Sequence, residues 1–528
     1  MKRLLSFKEL KEKSYSEILR MQERKFRAFI RYQVYPNHPF YRKLFKEHGV
    51  DPFNLETPED WGKHGLPLVR KADYKGGLRE FVLNPQQKDG EQRNPSEIIK
   101  NLLSYYKEAG FDKERSYVFR RGLKVKLHIG AGKARQELME HISHRYTPRF
   151  FWFSSGRASG LPSPVFLTYY DDELMRANMA KSGKMAIDPW IDDGFSLRAQ
   201  NLFPCAPHLG FFGVDGGLLQ MADFCVRTTA GGAIPTEKLV QLAELFKVTG
   251  FAAMPGYFRN IYCRSLKALK PKLEKRGIVL LAGERIYNRV IDDIKDALAE
   301  VGMTETRVIG GWAASETKIG VAAQCAEKGG YHNLSPLAFA IRFVKFTDDR
   351  GGYEFTSPEE GGYITIFHTD GSASMFEGYL MGDHVDKVIV DKCEHCGLEM
   401  PRFFNISRES EIGAQMQVMG IQEEKIKGAT VNLTALREAL LALPEIEEVQ
   451  IVVTKSDPED PYSLDVLSLN VAIRSGANKA SMQREVKRLT KAQTEVTPVV
   501  HFMALDALLE QAGGLKFQEI VDSRVRPA

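Results

Sequence analysis

The chain has 528 residues, of which 43% are hydrophobic and 27% charged, with a net charge of +5. That length exceeds one hydrophobic core and predicts two or more domains. Six cysteines exclude a disulfide-built scaffold and point to a reducing, cytoplasmic setting, and no apolar run approaches the ~20 residues of a membrane span.

The N-terminus lacks the apolar stretch of a signal peptide. In its first 31 residues Lys2, Arg3, Lys8, Lys11, Lys13, Arg20, Arg24, Lys25, Arg27 and Arg31 face only Glu9, Glu12, Glu17 and Glu23. Leu10, Ile18, Leu19 and Met21 have helical spacing, so the expectation is an amphipathic helix whose basic face is solvated. No second basic cluster with interleaved aromatics follows, so neither nucleic acid nor a membrane is expected as partner. Residues 84–100 are rich in Pro, Gly, Asn and Gln and read as a surface loop. Helical patterns follow near 95–110 and 133–145.

The aromatic run at Phe151 reads as a buried strand and leads into SSGRASGLPSP. Backbone with few Cβ atoms can curl around a phosphate, and Ser154, Ser155 and Ser159 add hydroxyl donors. The competing reading is a plain Ser/Gly turn between two strands. Beyond it, GFAAMP, a helix from Gly256 to Leu269, the strand Ile278–Ala282, a helix from Asn288 to Glu300 and the strand Thr306–Ile309 alternate. This predicts an α/β domain with a largely parallel sheet. Residues 338–392 turn to short strands with Gly turns, a β-rich subdomain. The last hundred residues predict a small α+β unit: helix 433–443, strands 449–454 and 464–473, helix 480–492 and strand 498–503.

Four further elements could serve a nucleotide. Gly283 and Glu284 close a strand, where ligands of open parallel sheets sit. Trp312 offers a stacking face, and Glu316, in the run GWAASET with Ser315, is a candidate Mg²⁺ ligand or a helix-end acid. Asp383 follows a Gly turn and suits ribose hydroxyls, or is an ordinary turn aspartate. Lys516 stands on a Gly-rich turn, able to reach a distant site or free in solvent. Separately, Cys325, His332, Cys393 and Cys396 make a three-Cys, one-His set with a C-x-x-C pair, a common structural zinc donor set; His395 is a substitute ligand.

In their order these segments resemble the adenylate-forming acyl-CoA synthetase superfamily, most closely its phenylacetate–CoA ligase branch. HPFYRKLFKEHGVDP, ETPEDW and LPLVRKADY are similar to that branch's opening, SSGRASGLP to its phosphate loop SSGTTGKP, LLAGERI to its Gly-Gly-Glu strand end, GWAASET to YGLSE, GYLMGD to RYRTGD, and GGLKFQEIVDSR to GKAKRVIDKR. The resemblance implies a large adenylation domain over 1–422, with an insertion near 84–150, and a mobile C-terminal lid over 423–528. It implies that Ser154, Ser155, Gly156, Arg157, Ser159 and Gly160 wrap the phosphates of ATP. Gly283, Glu284, Trp312 and Ser315 would border the nucleotide, Glu316 hold Mg²⁺ and Asp383 bind ribose. Lys516 would catalyse acyl-adenylate formation before CoA attacks, and Glu423 and Glu424 would form the hinge. Leu161 replaces the loop lysine, with Arg157 as the substitute cation, and Ile421 and Leu380 replace family arginines. Phe211, Phe212, Gly213, Met254 and Tyr257 are expected to line the acyl pocket, an aromatic lining that suits an aromatic acid. The expected reaction joins such an acid to CoA with ATP; transfer to an amine or carrier protein, or a non-catalytic homologue, are the alternatives, and a homodimer is left open.

Overall fold

In the computed structural model the described residues are 4–76, 79–85, 87–88, 91–153, 164–205, 209–230, 233–283, 286, 288–347, 351–408, 424–426, 429–431, 433–459, 465–494, 496–511 and 517–524. A sheet of twelve strands organises the larger domain. Its parallel part runs from Phe224–Val226 through Arg198–Asn201, Gly250–Ala253 and Arg276–Ala282 to Glu305–Trp312. The same sheet continues, antiparallel, through Ala322–Gln324, Tyr331–Asn333, Arg402–Arg408, Tyr379–Ile389, Gly362–His368, Phe339–Phe346 and Tyr353–Phe355. The β-rich stretch is therefore hydrogen-bonded directly onto the parallel half. The parallel strands near the middle of this half are buried on both faces: all four residues of Gly250–Ala253 are buried.

The smaller C-terminal domain has its own four-stranded sheet, in the order Val499–Met503, Asp465–Ile473, Ile446–Lys455, Ile520–Asp522. Helices Leu433–Leu441 and Lys479–Thr494 pack on it through Leu436, Leu440, Met482 and Val486. The expected order of elements is present. The final strand, only three residues long and parallel to Ile446–Lys455, and the helix Leu505–Gln511 add to it.

Two expectations need correction. The first concerns the basic N-terminal helix, observed as Tyr15–Phe29 with a Ser14–Glu17 capping box. Its basic face is not simply solvated. Lys25 is wholly buried and pairs with Asp370 at 3.1 Å, and Arg24 donates to the Lys107 carbonyl at 3.3 Å. Arg31, just beyond, reaches Glu108 at 3.0 Å. Arg24 and Arg31 thus tie this region to residues 107 and 108, at the end of a later helix. The second concerns the expected loop at residues 84–100, in which Gln87–Lys88 pairs with Glu91–Gln92. The helix expected near 95–110 is present as Pro95–Ala109, begun by an Asn94 side-chain cap. Another helix, Asp112–Lys126, escaped the periodicity reading because Val118 is its one buried residue.

Asp370 joins these parts. Around its buried carboxylate stand Lys25, Arg145 at 3.4 Å, Tyr105 Oη at 3.1 Å, Tyr170 Oη at 2.6 Å and the Gly371 N–H at 2.8 Å. Arg145 comes from the helix Ala131–Tyr146 and stacks over the Tyr170 ring at 4.0 Å. Next door, Lys318 pairs with buried Asp171 at 3.2 Å, while Ser372 N–H donates to the same carboxylate at 2.8 Å. Burial raises the Asp171 carboxyl and lowers the Lys318 ammonium from their usual ranges. Removing one partner of such a pair leaves an uncompensated buried charge. Lys25→Met is therefore expected to cost about 3 kcal/mol of unfolding free energy, read as a lower urea midpoint; an unchanged midpoint would show that the pair is dispensable.

Candidate functional site

The candidate residues gather at the carboxyl ends of the parallel strands. Gly283 follows the strand Arg276–Ala282 in a left-handed conformation, φ +89°, with Met254 and Phe203 each 3.9 Å from where a Cβ would stand. Trp312 ends the neighbouring strand. Its Nε1 donates to Asp383 Oδ2 at 3.3 Å. Asp383 is 5% exposed and sits in the strand Tyr379–Ile389 beside an irregularity: Leu380 to His384 spans four residues where its partner strand advances two, from Thr365 to Tyr363. Gly382, φ +74°, lies inside that bulge. The bulge re-aims Asp383 toward Trp312, which regular pairing would not do. Glu316, 5% exposed, lies in the 3₁₀ turn Ser315–Thr317, and Tyr379 Oη donates to its Oε1 at 3.4 Å. Four candidate residues, Trp312, Ser315, Glu316 and Asp383, thus converge. Tyr379 was missed by the sequence reading, although it stands inside the run GYLMGD; no spacing rule marks a tyrosine as a buried carboxylate's donor.

Beside this group an apolar cavity of about 290 Å³ lies between the sheet and the helices Tyr169–Ile187 and Leu209–Met221. It runs from Gly283 and Ser315 past Phe211, Met254 and Phe251 to Ile187. Of the five residues expected to line it, Phe211 and Met254 do. Phe212, Gly213 and Tyr257 do not. On the helix Leu209–Met221 the lining face is Phe211, Val214, Leu218 and Met221; Phe212, one residue round, is exposed and stacks on Trp152 at 5.7 Å. Gly213 packs against Leu209 and Met179, and Tyr257 faces Thr236, its hydroxyl 3.1 Å from Oγ1. A Phe-Phe pair was legible in the sequence; which ring turns inward depends on the helix phase.

Other expected residues lie outside the described set: Ser154, Ser155, Gly156, Arg157, Ser159, Gly160, Leu161, Glu284, Ile421, Glu423 and Lys516. Glu424 opens the short strand Glu424–Ile426. Next to Lys516, Phe517 is buried, and with Arg437, Glu448 and Glu519 it lines a cleft shared with Pro255, Gly256, Arg259 and Arg289 of the larger domain. Arg289 donates to the carbonyls of Leu441 at 2.7 Å and Leu443 at 3.0 Å, and Arg259 to that of Glu447 at 3.0 Å. The small domain therefore docks beyond the carboxyl end of Gly250–Ala253.

The Cys/His set comes together as well. The donor atoms of Cys325, His332, Cys393 and Cys396 all lie within 4.8 Å of one another, and all four residues are buried. Cys325 Sγ is 3.6 Å from His332 Nε2 and 3.5 Å from Cys393 Sγ, and Cys396 Sγ is 3.5 Å from His332 Nε2. A tetrahedral ion with arms of about 2.0–2.3 Å has edges of roughly 3.5–3.8 Å, so the set fits one. His332 sits on the strand Tyr331–Asn333; the C-x-x-C turn closes with Gly397 at φ +73°, which lets its backbone N–H groups face the sulfurs. Hydrogen bonding from Cys325, then His332 and the Leu398 N–H, holds the Cys396 thiol well below its ordinary value despite burial. At Cys393 burial opposes, but bonds from His332 and the Cys396 and His395 N–H groups outweigh it. Such thiols are poised to ligate as thiolates. The ring of His395 is half exposed beside Glu394 and takes no part. Leu5, Phe7, Leu10 and Met400 wrap the centre in an apolar cluster.

No protein-family model matches the sequence, and no curated protein matches it. Among solved structures, 2-hydroxyisobutyryl-CoA ligase in the postadenylation state with 2-HIB-AMP shares the fold: 15% identity and a TM-score of 0.66 over 96% of this chain and 90% of that one. The same ligase with 2-HIB-AMP and CoA in the thioesterification state gives 0.53, and in an open conformation 0.55. This chain thus shares that ligase's fold, with a large N-terminal and a small C-terminal domain.

The cavity depends on how closely its two helices approach. A Cβ on Gly217 would stand 2.9 Å from Met179 Cβ and 3.1 Å from its backbone carbon. Gly217→Ala should therefore cost about 1–3 kcal/mol through overpacking, measured by denaturant unfolding; a neutral effect would show that the helices separate freely.

Proposed function

We propose that this chain is an AMP-forming acid–thiol ligase that joins an apolar carboxylic acid to CoA through an acyl-adenylate. The observation that carries the reading is the convergence of Trp312–Asp383 and Tyr379–Glu316 at the carboxyl ends of the parallel strands, beside an apolar cavity that reaches Gly283 and Ser315. The order of the sequence motifs supports the phenylacetate–CoA ligase branch as the narrower placement.

In this reading Ser154, Ser155, Gly156, Arg157, Ser159 and Gly160 enclose the phosphates, Gly283, Glu284, Trp312 and Ser315 border the adenosine, and Asp383 accepts hydrogen bonds from ribose. Glu316 is the residue that would hold Mg²⁺, whose charge, when bound, offsets that of the phosphates. The acid's carboxylate oxygen attacks the α-phosphorus, the bond to the β-phosphate oxygen breaks, and pyrophosphate leaves with that electron pair. The ammonium of Lys516 stabilises charge as it develops on these oxygens. The thiolate of CoA then attacks the acyl carbon, and AMP leaves as the carbon–oxygen bond breaks. A domain boundary near residue 423, with Glu423 and Glu424 at the pivot, lets one lid serve both steps.

Phe203, Phe211 and Phe251 around the cavity support an aromatic acid. The volume is roughly twice the ~150 Å³ that accommodates benzene, so the preferred acid carries an apolar body larger than one ring. The Cys/His centre is assigned to a structural zinc ion, which ties the C-x-x-C turn to the strands that bear Cys325 and His332. Reduced ligating thiols go with a cytoplasmic location.

Pyrophosphate release and acyl products from ATP, Mg²⁺ and a panel of aryl and alkyl acids, with and without CoA, test the reading. Pyrophosphate and thioester are expected together; pyrophosphate without thioester would assign another acceptor, and no pyrophosphate with any acid would overturn catalysis. Lys516→Ala should slow pyrophosphate release by about 10²–10³-fold while sparing thioester formation from supplied acyl-AMP; equal loss of both steps would remove Lys516 from its role. Metal analysis should find about one zinc per chain, lost with a lowered melting temperature in Cys393→Ser. Metal content unchanged by that substitution would sink the assignment.

A further inference from the structure

The helices Asp112–Lys126 and Ala131–Tyr146 form an antiparallel hairpin that the proposed reaction does not use. Its root is firm. Val118, Leu138 and Ile142 are buried, Arg121 pairs with Glu137, and Arg145 reaches Asp370. Among the described residues, none from Phe119 to Lys133 is buried, although Val125 is partly covered on the core side. The first helix alone carries ~12 Å of chain beyond Val118, at 1.5 Å per residue.

Two properties coincide on that tip. Phe119, Leu123 and Leu127 recur at every fourth position along one helix face, and Ile129 follows in the turn; they are 56%, 44%, 55% and 62% exposed. Large apolar side chains normally avoid such exposure as a contiguous stripe. Residues 112–135 also hold eight Lys and Arg against Asp112 and Glu114, a net +6, whereas the whole chain carries +5; with Tyr117 and Phe119 among them this is a second basic cluster with interleaved aromatics, and it corrects the expectation that none follows the N-terminal one. The rest of the molecule thus has no net positive charge. Arg121 is neutralised by Glu137, but Arg115, Arg120, Lys124, Lys126, Lys133 and Arg135 are exposed and have no ion pair among the described residues.

We infer that this hairpin docks the protein on the surface of an anionic lipid bilayer. Phe119, Leu123, Leu127 and Ile129 enter the headgroup–acyl boundary, and the flanking Arg and Lys side chains meet lipid phosphates and carboxylates. The charge argues against the other occupants. A second copy would bring one strongly positive face against another across a two-fold axis. A nucleic acid would match the charge but leave the apolar stripe in water. No helix of the described chain is long and apolar enough to cross a membrane, so the attachment is peripheral.

The test is co-sedimentation of the full-length protein with phosphatidylcholine vesicles, with and without about one-third phosphatidylserine. Binding is expected to the anionic vesicles only and to weaken steeply with salt. The double variants Phe119→Ser/Leu123→Ser and Arg120→Glu/Lys124→Glu alter exposed side chains, so their melting temperatures should match the parent. Each should weaken vesicle binding at least about tenfold while pyrophosphate release is unchanged. Absence of binding to anionic vesicles, or binding that survives both double variants, would overturn the inference. So would a DNA or RNA complex without vesicle binding, or a concentration-dependent dimer that Phe119→Ser/Leu123→Ser dissolves.

Discussion

A buried carboxylate cannot stay ionised in a protein interior without compensation from all sides, and Asp370 obtains that compensation from four separate parts of the chain. Lys25 comes from the N-terminal helix, Tyr105 from the helix Pro95–Ala109, Arg145 from the helix Ala131–Tyr146, and Tyr170 from the helix that roofs the apolar cavity. None of these would be adjacent in an unfolded chain, and each pays desolvation unless the others are present. The neighbouring pair of Asp171 and Lys318 repeats the arrangement one layer over. Between them the loop Asp370–Gly371–Ser372 is fixed at two points.

That fixation matters for the candidate site because of what the two pairs adjoin. Lys318 follows Glu316 by two residues, and the loop from Asp370 leads into the strand that carries Tyr379 and Asp383. Positions that must converge within hydrogen-bonding distance, Glu316 with Tyr379 and Trp312 with Asp383, are thus held by buried charges rather than by the site's own contacts. The Cys/His centre plays a comparable part elsewhere on the sheet, where it joins the C-x-x-C turn, the strands beside Cys325 and His332, and the apolar cluster of Leu5, Phe7 and Leu10.

Much of the fold was readable from local pattern. The alternation from 250 to 309, the strands near 340–390 and the small domain's order all follow from periodicity and turn residues, which act over a few neighbours. The Cys/His set was readable because its chemistry restricts it to few residue types. The errors came where a residue's partner is far away. Lys25 sits in a run of cations that looks solvated until Asp370, 345 positions on, is placed beside it. The Asp112–Lys126 helix carries too little apolar periodicity to be seen, and only one of two adjacent phenylalanines could face the cavity.

The sequence by itself determined most element types, the small α+β unit at the C-terminal end, the donor set of the Cys/His centre and the order of the candidate motifs, because these rest on short-range propensity and on side-chain chemistry. Tertiary structure alone decided which charges are buried, that a bulge turns Asp383 toward Trp312, that Tyr379 serves Glu316, and which side of each helix lines the cavity. Those outcomes depend on desolvation and on register between strands and helices distant in the chain, and neither quantity is defined until the whole sheet has closed.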